Sequence, residues 1–184
     1  MGGSSTHKSL PCAHRGMQQR GVNYWETYFP VVNWMSFGAM LTLSILREIH
    51  TKSLYFVLVY TQADIKSDIF MVLPIGFKWV IRLDKILYGL KDAGMSWFEK
   101  LKEGLEARRF VQSQVGPCVW YKEEMVLLFY VDDCLMFSPS KDKIDEVYAS
   151  LQADFRIKDD REVNKYLGIE LDHRPDVSIH LRQP

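Results

Sequence analysis

A chain of 184 residues is long enough to bury a sizeable core as one domain or one lobed unit. Hydrophobic residues at 47% and aromatics at 13% exclude a disordered tract, and 23 basic against 23 acidic residues weigh against a strong standalone nucleic-acid binder. Cys12, Cys118 and Cys134 are odd in number and far apart, which predicts reduced thiols in an intracellular setting.

Met1 to Thr6 reads as a flexible lead-in, and the stretch from Lys8 to Tyr28 is polar and aromatic without a clear period. Cys12 and His14 are neighbours, but no second ligand pair follows at zinc spacing, so no metal site is expected there. None of the five scattered histidines receives a catalytic role. A helix is expected from Asn33, as its cap, to Glu48. It is apolar on most faces and is therefore expected to be mostly buried. Its run from Trp34 to Leu46 is too short and too interrupted by Ser36, Gly38, Thr42 and Ser44 to span a membrane.

Tyr55 to Tyr60 and Ile69 to Leu73 are strand candidates, the second stopped by Pro74 with Gly76 in the turn. Trp97, Phe98, Leu101 and Leu105 fall at helical spacing, which predicts a helix over about Ala93 to Arg109. Strands are expected over Cys118 to Tyr121 and Met125 to Val131. Ser140 caps a further helix, with Ile144, Val147, Tyr148, Leu151 and Phe155 along one face. The run Asp159 to Glu162 reads as a solvated, charged connector, and Tyr166 to Leu171 and Ser178 to Leu181 as closing strands.

The most informative feature lies between two of these strands. An apolar run from Met125 to Val131 stops at Asp132 and Asp133, and a second apolar run from Cys134 to Phe137 follows. Adjacent aspartates are good turn chemistry in any protein. At the lip of a buried hairpin they also present two carboxylates to a divalent cation, and Mg²⁺ usually takes only one or two such groups plus substrate phosphates. Two ions can clamp the attacking and leaving oxygens of a phosphoryl displacement. Helices on one face of an antiparallel sheet make the fold class α+β, and a hairpin followed by helix and strand fits a ferredoxin-like plan.

Four blocks in order resemble the reverse transcriptase domain of copia-type LTR retrotransposons. They are Gly21-Val-Asn-Tyr-Trp-Glu-Thr-Tyr-Phe-Pro-Val-Val32, Leu87-Tyr-Gly-Leu-Lys91 with Trp97, Tyr130-Val-Asp-Asp133, and Phe155-Arg-Ile-Lys-Asp159 leading to Tyr166-Leu-Gly-Ile-Glu170. A single short motif is weak, whereas four in the family's order are specific. The resemblance implies an RNA-directed DNA polymerase: a palm of antiparallel sheet with helices on one face, plus partial fingers. Residues 1–50 would be partial fingers and the first helix, 51–171 the palm with a finger insertion at about 61–86, and 172–184 the start of a segment leading to a missing thumb. Asp132 and Asp133 would be catalytic and hold Mg²⁺ or Mn²⁺. Lys8, Tyr60, Gly89 and Lys91 would bind the nucleotide, Tyr60 as the gate against a ribose 2′-hydroxyl. Leu167 and Gly168 would seat the primer end. Template-primer, RNA or DNA, and dNTP would be the partners, in a cytoplasmic virus-like particle. No membrane partner is implied, and the thumb, ribonuclease H, integrase and protease parts of the polyprotein are missing from this sequence.

The sequence departs from the family where chemistry is concentrated. Tyr55 stands where the first palm strand carries a third acid, and a phenol with a pKa of ~10 is no match for a carboxylate as a ligand at neutral pH. Leu10 replaces an arginine that helps hold the triphosphate, and Leu lacks its planar fork. Gly38 stands where the first helix usually carries an arginine. Metal binding is therefore expected to be weakened or lost, and the chain to be inactive. The alternatives are a non-catalytic relic that retains at most nucleic-acid binding, and an unrelated metal-dependent phosphotransferase that shares only the Asp-Asp turn.

Overall fold

The computed structural model describes residues 12–73, 76–160, 165–166, 169–173 and 179–182. In chain order the elements are α1 (Trp34–Leu46), β1 (His50–Phe56), α2 (Val59–Gln62), β2 (Phe70–Val72), β3 (Val80–Arg82), α3 (Ala93–Ala107), β4 (Val111–Gln112), β5 (Val119–Lys122), β6 (Met125–Tyr130), β7 (Asp133–Ser138), α4 (Lys141–Asp154), β8 (Ile157–Asp160), β9 (Lys165–Tyr166), β10 (Ile169–His173) and β11 (Ile179–Arg182). A short 3₁₀ turn at Arg15–Met17 precedes them. The fold is mixed α/β with antiparallel strand pairing throughout its named sheets.

The chain divides into two compact units. One comprises residues 1–28 and 60–97, the other 29–59 and 98–184. The second holds a six-stranded sheet in the order β4-β5-β6-β7-β1-β8 and a three-stranded sheet in the order β11-β10-β9. The central strand β7 is buried from Cys134 to Ser138, on both faces, which explains its unbroken apolar sequence. Its neighbour β1 carries Lys52, Leu54 and Phe56 on one face. Lys52 pairs with Asp145 of α4 at 2.9 Å and lies over the Tyr148 ring. Phe56 meets Phe155 edge-on, with centroids 5.6 Å apart. Helix α4 therefore covers this face, and Arg108 clips the end of α3 to it through Ser150 and Asp154. Ser140 caps α4 by accepting from the Lys143 N–H, as its sequence position requires.

The first unit is built on Ala63, Ile69, Leu83, Ile86, Leu90 and Ala93, with Ala13, Tyr60, Ile65, Met71 and Leu87 packed against them. Its β2 and β3 form a two-stranded hairpin.

Three expectations are corrected. The strand expected at Tyr55 to Tyr60 runs instead from His50 to Phe56, and Tyr60 falls in α2. Pairing with β7 from His50↔Ser138 to Tyr55↔Asp133 recruits the polar residues His50, Thr51 and Lys52, which carry no apolar signal. Leu58, at φ 54°, then turns the chain into α2. The helix α1 is not mostly buried: Phe37, Leu41 and Ser44 form one buried stripe, while Trp34, Met35, Leu43 and Leu46 are exposed. An all-round apolar sequence does not reveal which stripe is covered. Asp159 and Asp160 lie in β8, opposite Leu54 and Ser53, not in a loop. Sheet pairing there overrides a strongly polar local sequence.

Gly104 gives a test of this packing. A Cβ there would lie 2.6 Å from the Phe155 ring, which is buried against Phe56. Gly104→Ala, worth about 1 kcal/mol in an isolated helix, is expected instead to destabilise by about 1–3 kcal/mol through overpacking. Urea unfolding monitored by circular dichroism measures the sign.

Candidate active site

The Asp-Asp pair sits on the β6–β7 hairpin. Tyr130 pairs with Asp133, so the loop has only two residues, Val131 and Asp132. Loops of this length need a positive φ at the first central position, which favours Gly or Asn. Here that position is Val131, at φ 55°. A β-branched residue in the left-handed region costs on the order of 1–3 kcal/mol and persists only where its surroundings enforce it. One such restraint is visible: the Phe56 N–H donates to the Asp132 carbonyl at 2.8 Å, tying the turn to the end of β1.

Register does the rest. Tyr130 pairs with Asp133, Asp133 with Tyr55, and Tyr55 with Lys158. Directly opposed residues of antiparallel strands share a face, with Cβ atoms about 4.5–5.5 Å apart. These four side chains therefore form one row across β6, β7, β1 and β8. Tyr130, Asp133 and Tyr55 are half-buried and Lys158 is exposed. The next residue of β7 points the other way: Cys134 is fully buried, and burial first, then the charge of Asp133, pushes its thiol well above the ordinary range. Burial likewise pushes the Cys118 thiol up to about 12. Neither thiol is a nucleophile at neutral pH.

The donor set suits a divalent cation only sparsely. Asp132 and Asp133 supply two hard oxygen ligands, which matches the modest protein contribution Mg²⁺ requires. Among the described residues no group of three His, Cys, Asp or Glu side chains gathers at one point. Tyr55 lies beside Asp133 in register.

Tyr60, Gly89 and Lys91 fall in the first unit. Tyr60 is half-buried, and its ring meets Tyr88 at 4.7 Å between centroids. Gly89, at φ 90°, lets another strand of chain pass: a Cβ there would come within 2.3 Å of the Ala13 carbonyl oxygen. Ala13 N–H donates to the Tyr88 carbonyl at 2.8 Å. The Lys91 ammonium donates to the Gln18 carbonyl and the Tyr24 hydroxyl, both at 3.2 Å, and stands over the Tyr24 ring. Gln18 in turn accepts from the Lys91 N–H at 2.7 Å. The contacts seen at Gly89 and Lys91 are thus internal to the unit. Lys8, Leu167 and Gly168, and with them Leu10, lie outside the described residues. Gly38 has open space around its α-carbon within α1.

Sequence reasoning passed over Gln18, Val131 and Asp92. Nothing local distinguishes Gln18 from its polar neighbours; its burial comes from the segment folded over it. Val131 ends an apolar run and reads as strand; only the register, which pairs Tyr130 with Asp133, places it in the turn. Asp92 precedes α3, with a buried Oδ1 that has no hydrogen-bond partner. Burial raises its carboxyl above the ordinary range, partly opposed by its backbone N–H and by Gln18. A cavity of about 480 Å³ in the same unit is walled by Met17, Gln18, Asn23, Phe70, Val72 and Leu90, among others, and none of the candidate residues lines it.

The chain matches the family described as reverse transcriptase (RNA-dependent DNA polymerase) over residues 4–183. It is similar to the retrovirus-related Pol polyprotein from transposon RE1 of Arabidopsis thaliana, 30% identical over 92% of this chain and 12% of that protein. The Pol polyprotein from transposon TNT 1-94 of Nicotiana tabacum is 28% identical over 84% of this chain and 12% of its own length. The Ty1-BR Gag-Pol polyprotein of Saccharomyces cerevisiae is 29% identical over 62% of this chain and 7% of its own. The chain therefore spans only about 12% of the length of the first two relatives.

Two outcomes follow from this geometry. Val131→Gly is expected to raise stability by about 1 kcal/mol, because Gly meets the positive φ without steric cost; a lower midpoint in urea would refute the strain. Asp92→Asn tests the buried carboxyl. A folded pKa above the unfolded value means that the wild type is most stable below the unfolded pKa and loses stability as pH rises through the folded one. The variant lacks that loss, so its stability relative to wild type is expected to grow from pH about 4 to pH about 7, in denaturation curves recorded at both.

Proposed function

This chain belongs to the reverse transcriptase family, as the domain carried in copia-type retrotransposon polyproteins, and we propose that it is a polymerase palm with partial fingers whose nucleotidyl-transfer chemistry has been lost. The observation that carries the proposal is the register Tyr55↔Asp133. It sets a phenol beside the pair of acids at the position the family gives to a carboxylate.

On this reading residues 1–50 are partial fingers with the first helix, and 51–171 the palm, with the ferredoxin-like core and a finger insertion at about 61–86. Residues 172–184 lead toward a thumb. Asp132 and Asp133 would hold Mg²⁺ or Mn²⁺, which when bound supplies charge neutralisation to the transferring phosphate. Asp132 sits in the turn and Asp133 at the start of β7. Tyr55 is neutral at physiological pH and adds no charge to the set. Lys158 adds a cation at the end of the same row. Exchange of a carboxylate for a phenol weakens cation affinity, which follows ligand number and charge. Tyr60, held against Tyr88, is the gate residue. Gly89 and Lys91 shape the nucleotide side by holding the chain around Ala13, Gln18 and Tyr24 in place, and Lys8 would reach the triphosphate. Leu167 and Gly168 would seat the primer. The partners are a template-primer and a dNTP, together with the other parts of the polyprotein, in a cytoplasmic virus-like particle. No helix among the described residues is long and apolar enough to cross a membrane.

The alternative is a relic that keeps at most nucleic-acid binding, and Tyr55 is the observation that favours it over an active enzyme. Primer extension tests the loss of chemistry that both readings share. The unmodified chain is expected to give no measurable extension on an RNA template, since loss of one charge-stabilising group commonly costs about 10²–10³ in rate. Tyr55→Asp is expected to bind Mg²⁺ more tightly and to restore activity only in part. Equal Mg²⁺ affinity in the two proteins would remove position 55 from the ligand set. Robust Mg²⁺-dependent incorporation by the unmodified chain, abolished by Asp132→Asn, would overturn the proposal.

A further inference from the structure

The strand β2 has one bare edge. It pairs with β3 alone, in the register Phe70↔Arg82, Met71↔Ile81 and Val72↔Val80. The Leu83 N–H donates to the Ile69 carbonyl at 2.9 Å and the Leu73 N–H to the Trp79 carbonyl at 3.4 Å. Ile69, Met71 and Leu73 are therefore the positions whose main-chain groups point at the partner strand. In an antiparallel pair these alternate with positions whose N–H and C=O point away from it. Phe70 and Val72 hold those positions, and among the described residues their main-chain groups take no hydrogen bond. The cavity of about 480 Å³ lies along this edge: residues 69–73 all line it, and no residue of β3 does. Successive side chains of a strand point to opposite faces, so a space touching five in a row meets the strand edge-on.

The walls narrow the occupant. Ile69, Leu83 and Leu90 are buried and make an apolar floor, while Met17, Phe70 and Val72 are more than half exposed and make a rim. The volume is that of an ordinary small-molecule pocket, in which apolar walls supply contact and a few polar groups fix orientation. Among the described residues that line it none is Asp, Glu, Lys or Arg. A charged ligand would lose its hydration there without compensation, so the occupant is uncharged. Phe70, Met17 and Met71 suit a flat ring, through edge and sulfur contacts. The bare edge asks for a donor and an acceptor side by side, because the N–H and C=O of one strand residue point the same way. A lactam, –CO–NH– within a ring, carries that pair. An added peptide strand fits less well: β2 has three residues, short of the usual five or six, and the segment from Cys12 to Asn23 walls the opposite side.

We propose that this cavity is a binding site for a small, uncharged aromatic lactam, its ring on the apolar floor and its amide paired with the main chain of Val72. The Val72 N–H donates to the ligand carbonyl, and the Val72 carbonyl accepts from the ligand N–H. The site is independent of polymerase chemistry, since none of the catalytic or nucleotide candidates lines it. Cys12 supplies the readout: it lines the cavity and is exposed, while Cys118 and Cys134 are buried. Isoquinolone, added to the full 184-residue chain, is expected to slow alkylation of Cys12 by iodoacetamide, read by intact mass, and to saturate near about 1 mM, as suits a ligand of this size. N-methylisoquinolone, which lacks the donor, is expected to protect about tenfold more weakly, the usual loss when a buried polar group is left unpaired. Val72→Pro removes the N–H at a position the β3 ladder does not use, where an edge strand tolerates proline. It is expected to lose protection by isoquinolone to the same degree, with circular dichroism reporting that it folds; the two probes on the unmodified chain decide the matter even if it does not. No protection by isoquinolone at its solubility limit would overturn the proposal, as would equal protection by both probes. Protection by the extended peptide acetyl-Val-Thr-Val-amide but not by isoquinolone would also overturn it and assign the edge to strand addition.

Discussion

The antiparallel pairing of β1 with β7 is the constraint on which the rest of the second unit depends. It joins a central strand buried on both faces to a strand half polar in sequence, and it aligns Tyr55 with Asp133. From that one register follow the face that α4 covers, through Lys52 and Phe56, and the opposite face on which Asp133 and Tyr55 stand in a row. A slip of β1 by one residue would exchange its faces, turning Lys52 and Phe56 away from α4 and Tyr55 toward it. The strain at Val131 belongs to the same constraint. The two-residue turn is held closed by a ladder on both sides and by the Phe56–Asp132 hydrogen bond, so the backbone conformation is imposed on a residue that resists it.

Fold and chemistry separate at this site. The hairpin, its strained turn and its apolar flanks are all present, while the residue opposite Asp133 is a phenol. Sheet pairing tolerates that exchange because Tyr is well suited to a half-buried strand position. A cation would not, because its affinity depends on the charge and number of its ligands. A chain can therefore keep the architecture of a polymerase after losing part of its chemical equipment. The first unit shows the same separation. Gly89 and Lys91 are engaged by backbone and side chains of the 13–24 segment, so they serve to hold that segment whether or not a nucleotide is bound.

Much of this was legible from local pattern. The strands β6 and β7 and the helices α3 and α4 with the Ser140 cap follow from apolar runs and helical spacing; the turn expected at the Asp-Asp pair lies one residue earlier, at Val131 and Asp132, because Asp133 is taken into β7. The Asn33 cap was legible too: its side chain accepts from the Met35 N–H at 2.9 Å. The extent of β1 was not, since His50, Thr51 and Lys52 become a strand only through their partners. Asp159 and Asp160 read as a loop for the same reason. In α1 the sequence is apolar on every side, and periodicity carries no information when every position satisfies it.

The sequence by itself determined the family, through four blocks in order, and the identity of residue 55, which needs no coordinates. Only the tertiary structure decided that residue 55 stands directly across from Asp133, that Gln18 is the buried anchor of Lys91, and that the outer side of α1 is left uncovered. The division has a physical cause. Helical periodicity, caps and two-residue turns are set by interactions within a few residues of chain. Strand register, hydrogen-bond partners and burial are set by segments tens of residues apart, and no local pattern names which segments those will be.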